Sequence, residues 1–419
     1  MAGTFSNRKK LILLANAIEE NLNYIKQSDD LFPQDEIAKK KYGMAVHGYL
    51  PDAGSVSDGI VAHPDKAHQV EVTAWLRNKN TSAETDLWDN LTNIEDFRKE
   101  MVDKRSAKLA REVQKDILDE NVYQSCQAVV TSTIGYGVLS DASAKLDELS
   151  IVGDRVSFQT PTILAKIGQT GANLFLPSDI QKEIYEEASL GTYANAAQIQ
   201  LPGLPILDTT GADEAPTISG TVVKDASNNV IGVKPITAIT GSGTGSVIPG
   251  VPYVLSGLKI VDEGGVETAQ DYVVIPFTET YYDEDGAKQT RVVIPQLRIS
   301  ATGKSWGNPN AYVAASTISA ATADGVATFT LSLATGITAG KHYQIGQVRN
   351  AKALSFSKLR FDSLPAAKQD NVGVGEFISL KMQSAPEVIN GIAYFRIDMP
   401  WIGKIFEPRQ SVTTYIQLD

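Results

Sequence analysis

The chain has 419 residues and a net charge of −11, from 38 basic and 49 acidic side chains. That is enough apolar material for two or three domains, and an acidic surface is poorly suited to clamping nucleic acid because it releases no net counterions. A single cysteine, Cys126, excludes an intrachain disulfide and any cysteine-rich metal site.

Arg8, Lys9 and Lys10 followed by Leu11, Ile12, Leu13 and Leu14 begin like a signal sequence. The apolar run ends at Asn16, Glu19 and Glu20 follow, and no small-x-small cleavage site is present. The expectation is a protein made in a reducing cytoplasm, kept there or released by lysis. Ser6 is placed to cap a first helix reaching about Gln27, with Leu11, Leu14, Ile18, Leu22 and Ile25 on one face and Pro33 ending the region. That stripe has no local partner, so it must dock elsewhere.

Residues 43–77 read as an arm. Met44, Val46 and Gly48 precede a turn-rich tip through Pro51, Gly54, Asp58 and Gly59, and Val70, Val72, Ala74 and Leu76 then alternate with Glu71, Thr73 and Arg77. Two strands around a tip make a hairpin, which is marginal alone in water. A partner surface is implied.

No glycine occurs between Gly59 and Gly135, and no proline between Pro64 and Pro161. Thr92 with Glu95 fits a capping box, and the helical pattern runs from Asn93 to about Val129, a rod of roughly 55 Å at helical rise. Phe97, Met101, Leu109, Val113 and Ile117 form a thin apolar ridge. Glu95/Lys99 and Glu100/Lys104 add favourable i,i+4 pairs. This predicts a beam across a surface rather than a core helix. Cys126 falls on it as a packed small hydrophobe. Arg105 and Lys108 interrupt the ridge and break a coiled-coil reading, so they are expected to lie over a neighbour or an acidic patch.

From Thr131 to about Asp213 the signal is mixed α/β. Asp141 or Ser143 can open a helix through Leu149, Val156–Lys166 contains Pro161, Ala172–Leu176 reads as a strand, and Ser178 caps a helix through Ala188. Leu201–Asp208 is a proline-broken extended strand. Composition then shifts at Ala215. Thr217 to about Gly346 is rich in Thr, Val, Gly and Ser with repeated turn signals, and Tyr272–Tyr282 with Thr290–Ile299 reads as a hairpin. The expectation is an inserted all-β domain able to fold alone. Ala351–Phe361, Phe377–Met382, Ala393–Met399 and Ser411–Leu418 resume strands, with Trp401–Lys404 in a turn.

Catalytic and ligand motifs fail on inspection. Gly303-Lys304-Ser305 lacks the first glycine of a phosphate loop, because position 298 is Arg298. The glycine-rich run from Gly241 has no helix after it. Asp283–Gly286 lacks the EF-hand glutamate and is better explained as a hairpin turn. His63, Asp65 and His68 match no zinc spacing. No catalytic residue, metal ligand or cofactor is expected.

Leu11–Lys26 leading to Lys39–Tyr42, Val70–Leu76 leading into Phe97–Val122, Leu204–Asp208 before the insertion and Arg396–Arg409 near the end together resemble the major capsid (coat) proteins of tailed bacteriophages. Their fold is shared with herpesvirus capsid floors, and the nearest likeness is to short-tailed phage coat proteins with an inserted β domain. The resemblance implies an α+β capsid fold. An N-terminal arm helix would occupy 1–32, an extended loop 33–78, and the spine helix and peripheral domain 79–145. An axial domain would take 146–215 and 347–419, which also lend strands to the peripheral sheet, and the inserted β domain 216–346. It implies self-assembly into an icosahedral shell of hexamers and pentamers around double-stranded DNA, in the virion, after assembly in the host cytoplasm. Expected partners are further copies of the chain, a scaffolding protein, a portal and DNA held nonspecifically, with no membrane. The basic clusters Arg8–Lys10 and Lys39–Lys41 could touch DNA or an acidic scaffold face. Pro51, Asp58, His63, His68, Val72, Leu76, Arg105 and Lys108 are the candidate subunit contacts. Two features depart from the family. No long cleavable N-terminal extension is expected, and no lysine–asparagine cross-link can be assigned. The alternative is another virion component of tail-tube or baseplate type, which usually lacks so long a helix. A secreted binding protein would need a signal that the sequence does not carry.

Overall fold

A computed structural model describes residues 18, 22–37, 39–40, 43–51, 69–86, 104–171, 192–212, 214–239, 247–283, 285, 287–302, 309–321, 325–357, 368–374, 378–387 and 392–418. The architecture is α+β. After the helical turn α1 (Gln34–Ile37), β1 (Ala45–Pro51) and β2 (Gln69–Trp75) form a two-stranded sheet of their own, and β3 (Arg77–Asp86) follows. Helix α2 (Lys104–Asn121) leads to β4 (Ala128–Thr131), α3 (Gly137–Glu148), β5 (Arg155–Gln159) and α4 (Pro161–Gly171), then to β6 (Thr192–Tyr193), β7 (Ala196–Gln200) and β8 (Ile206–Asp208). The insertion contains β9 (Thr217–Lys224), β10 (Val230–Ala238), β11 (Tyr253–Val261), β12 (Glu267–Val274), β13 (Phe277–Tyr282) and β14 (Lys288–Ser300). It continues with β15 (Ala311–Tyr312), α5 (Ala315–Ala321), β16 (Val326–Thr330) and β17 (Ser332–Leu333). The chain returns through β18 (His342–Asn350), β19 (Leu354–Ser357), β20 (Lys368–Val374), β21 (Ile378–Glu387), β22 (Ile392–Ile405) and β23 (Ser411–Gln417).

Three larger sheets result. A seven-stranded sheet in the order β4-β23-β18-β5-β7-β6, with β8 on β18, mixes parallel and antiparallel pairs. A five-stranded sheet joins β19 to β22 with β3, so it draws on segments far apart in sequence. The insertion's nine strands form the third.

Several expectations change. Helix α2 ends at Asn121, not near Val129, and Cys126 lies in the turn beyond it, fully buried. Nor is α2 a surface beam from Leu109 onward. Leu109, Ala110, Val113, Ile117 and Leu118 sit in the main core, as do Ile18, Leu22 and Ile25 from the first predicted stripe. Helix α3 opens at Gly137, earlier than Asp141. Pro161 starts α4, where its fixed φ and missing N–H cost nothing. Trp401–Lys404 lie within β22 rather than in a turn. Tyr272 belongs to β12, while the later hairpin is β13–β14, with Tyr282 opposite Lys288. Strand β18 pairs in the seven-stranded sheet, so the insertion's own sheet closes at β17, and the insertion also carries α5. The predicted Thr92 cap, Phe97, Met101, the 172–176 strand, the helix from Ser178 and the 303–305 run lie outside the described residues.

The arrangement turns on where α2 stops. A helix leaves its last carbonyls without intrahelical partners, and here they lie in the interior. The Asn121 side chain donates to the Ile117 carbonyl (2.9 Å) and accepts the Ile405 N–H of β22 (2.9 Å). Gln347 of β18 donates to the Asn121 carbonyl (3.0 Å) and to Ser411 (2.9 Å), and Thr413 of β23 donates to the Val122 carbonyl (2.9 Å). Tyr24 donates to Gln347 (2.7 Å), while its own carbonyl takes the buried Arg349 guanidinium (3.0 Å), which stacks on the Tyr24 and Phe158 rings. One side-chain network thus fastens the N-terminal segment, α2 and both body sheets.

The insertion shares this core. Ile218, Tyr253, Phe277, Leu297 and Phe329 belong to the same buried cluster as Ile117, Tyr343 and Trp401. Val273 N–H bonds to the Cys126 carbonyl (2.9 Å), and Tyr415 donates to the Gly250 carbonyl (2.7 Å). An autonomous domain would seal its own core, so folding of the insertion alone is not what this packing supports. Replacing Asn121 by Ala orphans the buried Ile405 N–H and should cost about 1–3 kcal/mol, read as a lowered urea midpoint. Lys108→Ala, on the same helix but exposed, should leave the midpoint where it is. Equal effects from the two would show that the helix end is not the fastening point.

Candidate assembly surfaces

The β1–β2 hairpin runs in register from Ala45 opposite Trp75 to Pro51 opposite Gln69. Its apolar face packs on its own chain: Val46, Val72, Ala74 and Leu76 close with Phe32, Ile37, Ile402 and Phe406 into a separate small core. Gly48 makes this possible, because a side chain there would collide with the Phe406 ring. The hairpin base is therefore anchored on its own chain rather than on a neighbour.

The outer edges are treated unevenly. Residues 45, 47, 49 and 51 point their backbone groups away from β2, and 69, 71, 73 and 75 point theirs away from β1. At the inner end both sides are capped. Glu36 accepts the His47 N–H (3.2 Å), and Lys404 donates to the Thr73 carbonyl (2.8 Å). Further out, the outward backbone groups of Tyr49 and Glu71 have no partner among the described residues, and the Tyr49 ring is half exposed.

The predicted contact residues divide accordingly. Pro51 ends β1, and Asp58, His63 and His68 lie outside the described residues. Val72 and Leu76 face inward, which corrects their assignment as contacts: their side chains lie in the small core and their backbone groups face the β1 side of the hairpin. Arg105 donates to the Ser82 carbonyl of β3, so its partner is on its own chain. Lys108 is exposed to solvent.

Three buried ionic groups, invisible in the sequence, join hairpin, insertion and body. On β13, Glu279 takes two bonds from Arg291 (2.9 and 2.7 Å) and one from Lys404 (3.1 Å), beside a cavity of about 220 Å³ that Thr73, Trp75 and Gln124 also line. Lys404 thereby links β22, the insertion and β2. Glu120 of α2 accepts from Arg77 and from the Thr280 N–H (2.8 Å), while Arg77 also donates to the Thr280 carbonyl (3.0 Å) and lies over the Trp401 ring. Glu407 is held by Arg409 (2.9 and 3.2 Å) with Arg298 3.6 Å away, and Arg409 reaches the carbonyls of Val261 and Asp262 (3.0 and 2.7 Å). Burial alone would raise the carboxyls of Glu279 and Glu407. Lys404 with Arg291, and Arg409 with Arg298, outweigh it and hold both below the ordinary glutamate value.

These carboxylates are engaged by cations and backbone, which makes them clamps rather than acids or bases poised for chemistry. The Cys126 thiol is fully buried and pushed well up, by desolvation first. Asp283 spends its oxygens on the Ala287 N–H (2.7 Å) and Gln289 (3.0 Å) of its own turn. Among the described residues no group of three or more His, Cys, Asp or Glu could hold a metal ion, and no helix is long and apolar enough to cross a membrane.

Because both folded-state values are depressed, the stability from Glu279 and Glu407 is complete above the unfolded glutamate pKa of 4.5 and is lost as pH falls through the lower folded values. Glu407→Gln, which leaves Arg409 buried without its charge partner, should destabilise by about 3–5 kcal/mol at pH 7. Its deficit relative to the native chain should shrink below the unfolded pKa. A deficit in urea midpoint that stays constant from pH 7 to pH 3 would contradict an ionised cluster.

No protein-family model matches the chain, and no curated protein matches it in sequence. Solved structures of phage capsids are similar to it along most of its length. The capsid of Ralstonia phage GP4 is 7% identical with a TM-score of 0.45, over 93% of this chain and 90% of that one. The acid-stable capsid of Helicobacter pylori bacteriophage KHP30 is 9% identical with a TM-score of 0.44, over 95% and 91%. The capsid of the cyanophage P-SCSP1u is 10% identical with a TM-score of 0.42, over 93% and 89%.

Proposed function

We propose that this chain is a major capsid protein of a tailed bacteriophage, a structural subunit that assembles with copies of itself into an icosahedral shell of hexamers and pentamers around double-stranded DNA. The hairpin carries the reading. It is a two-stranded sheet outside the larger sheets, fixed at its base by its own small core and by caps from Glu36 and Lys404. Beyond those caps its edges offer backbone groups that nothing described in the chain takes up. A free two-stranded ribbon gains little by itself, and unpaired edges are templates for another chain. A neighbouring subunit supplies what the ribbon lacks. The buried clamps suit the same role, since a shell subunit must keep arm, helix and sheets in one fixed relation while load passes between copies.

The rest of the proposal follows from that role. Assembly into a closed shell calls for a scaffolding protein and a portal, and the net charge of −11 lets the inner surface lie near packed DNA without binding it tightly. The protein would be assembled in the host cytoplasm and reside in the virion, as a structural subunit rather than an enzyme.

Negative-stain microscopy of the purified protein, alone and co-expressed with its genomic neighbours, should show closed shells. Tubes or rings would point to a tail or baseplate component instead. Replacing 51–68 by a short Gly/Ser turn should leave a folded monomer with an unchanged far-ultraviolet dichroism spectrum and a loss of shell formation of at least tenfold by light scattering. Normal shells from that variant would remove the hairpin from the account.

A further inference from the structure

Among the described residues, several sheet edges of the body and the insertion are guarded. Strand β3 carries Arg77 and Lys79. Strand β12 carries Glu267 and Asp271 and is tied to α3, where Gln270 donates to the Lys145 carbonyl. The Asp29 backbone covers β19 at Ser355, and Arg77 with Glu120 caps β13 at Thr280. Charge, coverage and short length are the usual defences against stray pairing.

Strand β16 carries no charge, and no described segment covers its outer edge. It closes one end of the insertion's sheet, pairing with β9 alone among the described strands, and no charged residue occurs from Gly325 to Gly340. Its orientation is fixed by two flanking bonds, Val222 N–H to the Gly325 carbonyl (3.0 Å) and Leu331 N–H to the Pro216 carbonyl (2.8 Å). These make Ala327 and Phe329 the residues whose backbone faces β9. Val326, Thr328 and Thr330 therefore turn their N–H and C=O groups outward, without a partner among the described residues, and all three side chains are exposed.

We propose that the outer edge of β16 is a self-association site, where β16 of a second copy of this chain pairs antiparallel about Thr328. The edge is self-complementary. With Thr328 opposite its own copy, Val326 falls opposite Thr330 in both directions, so every facing position on the exposed side is β-branched, a favourable cross-strand class, while Ala327 falls opposite Phe329 on the buried side. The outward groups then close about six hydrogen bonds between the copies. Two chains of net charge −11 repel one another, and this charge-free edge lets them meet without opposing like charges. Each copy presents one such edge, so the pairing is isologous and stops at two rather than running into a fibre. It stands apart from the shell reading and concerns a different part of the chain.

The test is disulfide trapping in the full-length protein with oxidised glutathione, comparing Thr328→Cys with Thr330→Cys. Facing Cα atoms in an antiparallel hydrogen-bonded pair lie about 5.5 Å apart, within disulfide reach. Two copies of residue 330 would be separated by about four residues of strand. Native Cys126 is buried and should not compete. Thr328→Cys should cross-link at least tenfold faster than Thr330→Cys on non-reducing gels, and Val326→Cys with Thr330→Cys in one chain should restore cross-linking. Thr328→Lys should lower the dimer fraction in sedimentation by at least tenfold while melting at the wild-type temperature. Equal cross-linking rates at 328 and 330, no cross-link at either, or wild-type association in Thr328→Lys would each overturn the proposal.

Discussion

A helix that ends inside a protein must hand its last carbonyl groups to something, and the end of α2 at Asn121 sets the terms for the rest of this molecule. Water cannot reach these groups, so their partners come from β18 and β23, while β22 bonds to the Asn121 side chain. A buried polar group left unpaired costs about as much as a good core contact contributes. The body sheets therefore cannot shift relative to α2 without opening several such groups at once. Tyr24 and Arg349 bring the N-terminal segment under the same constraint.

From that fixed end the two appended parts are fastened by charge. Glu120, one residue before Asn121, reaches the insertion at Thr280, while Arg77 brings in the strand that follows the hairpin. Lys404, one residue before Ile405, touches the hairpin and the insertion together. Buried ion pairs are poor sources of net stability compared with apolar packing, but breaking one is costly, so they fix relative position strongly. That is useful for a subunit whose arm must project the same way in every copy.

The sequence made the local pieces legible and hid the joints. The alternation of Val70, Val72, Ala74 and Leu76 located β2, and the composition shift at Ala215 placed the insertion's first strand at Thr217. Turn chemistry at Asp283 gave the β13–β14 hairpin. The core character of α2 was missed because its buried face includes the polar Gln114, Glu120 and Asn121, and the partners of Glu120 and Asn121 lie up to hundreds of residues away. For the same reason Val72 and Leu76 looked like contacts for a neighbour: Phe32, Ile402 and Phe406, which cover them, are not adjacent in sequence. Trp401–Lys404 read as a turn because Gly403 interrupts the pattern, whereas the glycine is where the Phe356 ring crosses β22.

Hydrogen exchange read by mass spectrometry, on the same protein before and after assembly, tests the central claim that the frame is internally complete while the hairpin awaits a neighbour. Backbone amides in 117–124, 402–405 and 411–415 should exchange slowly and alike in both states, while the outward amides of Tyr49 and Glu71 gain protection only on assembly. Outward hairpin amides equally protected in both states, or a helix end that exchanges fast until assembly, would contradict it.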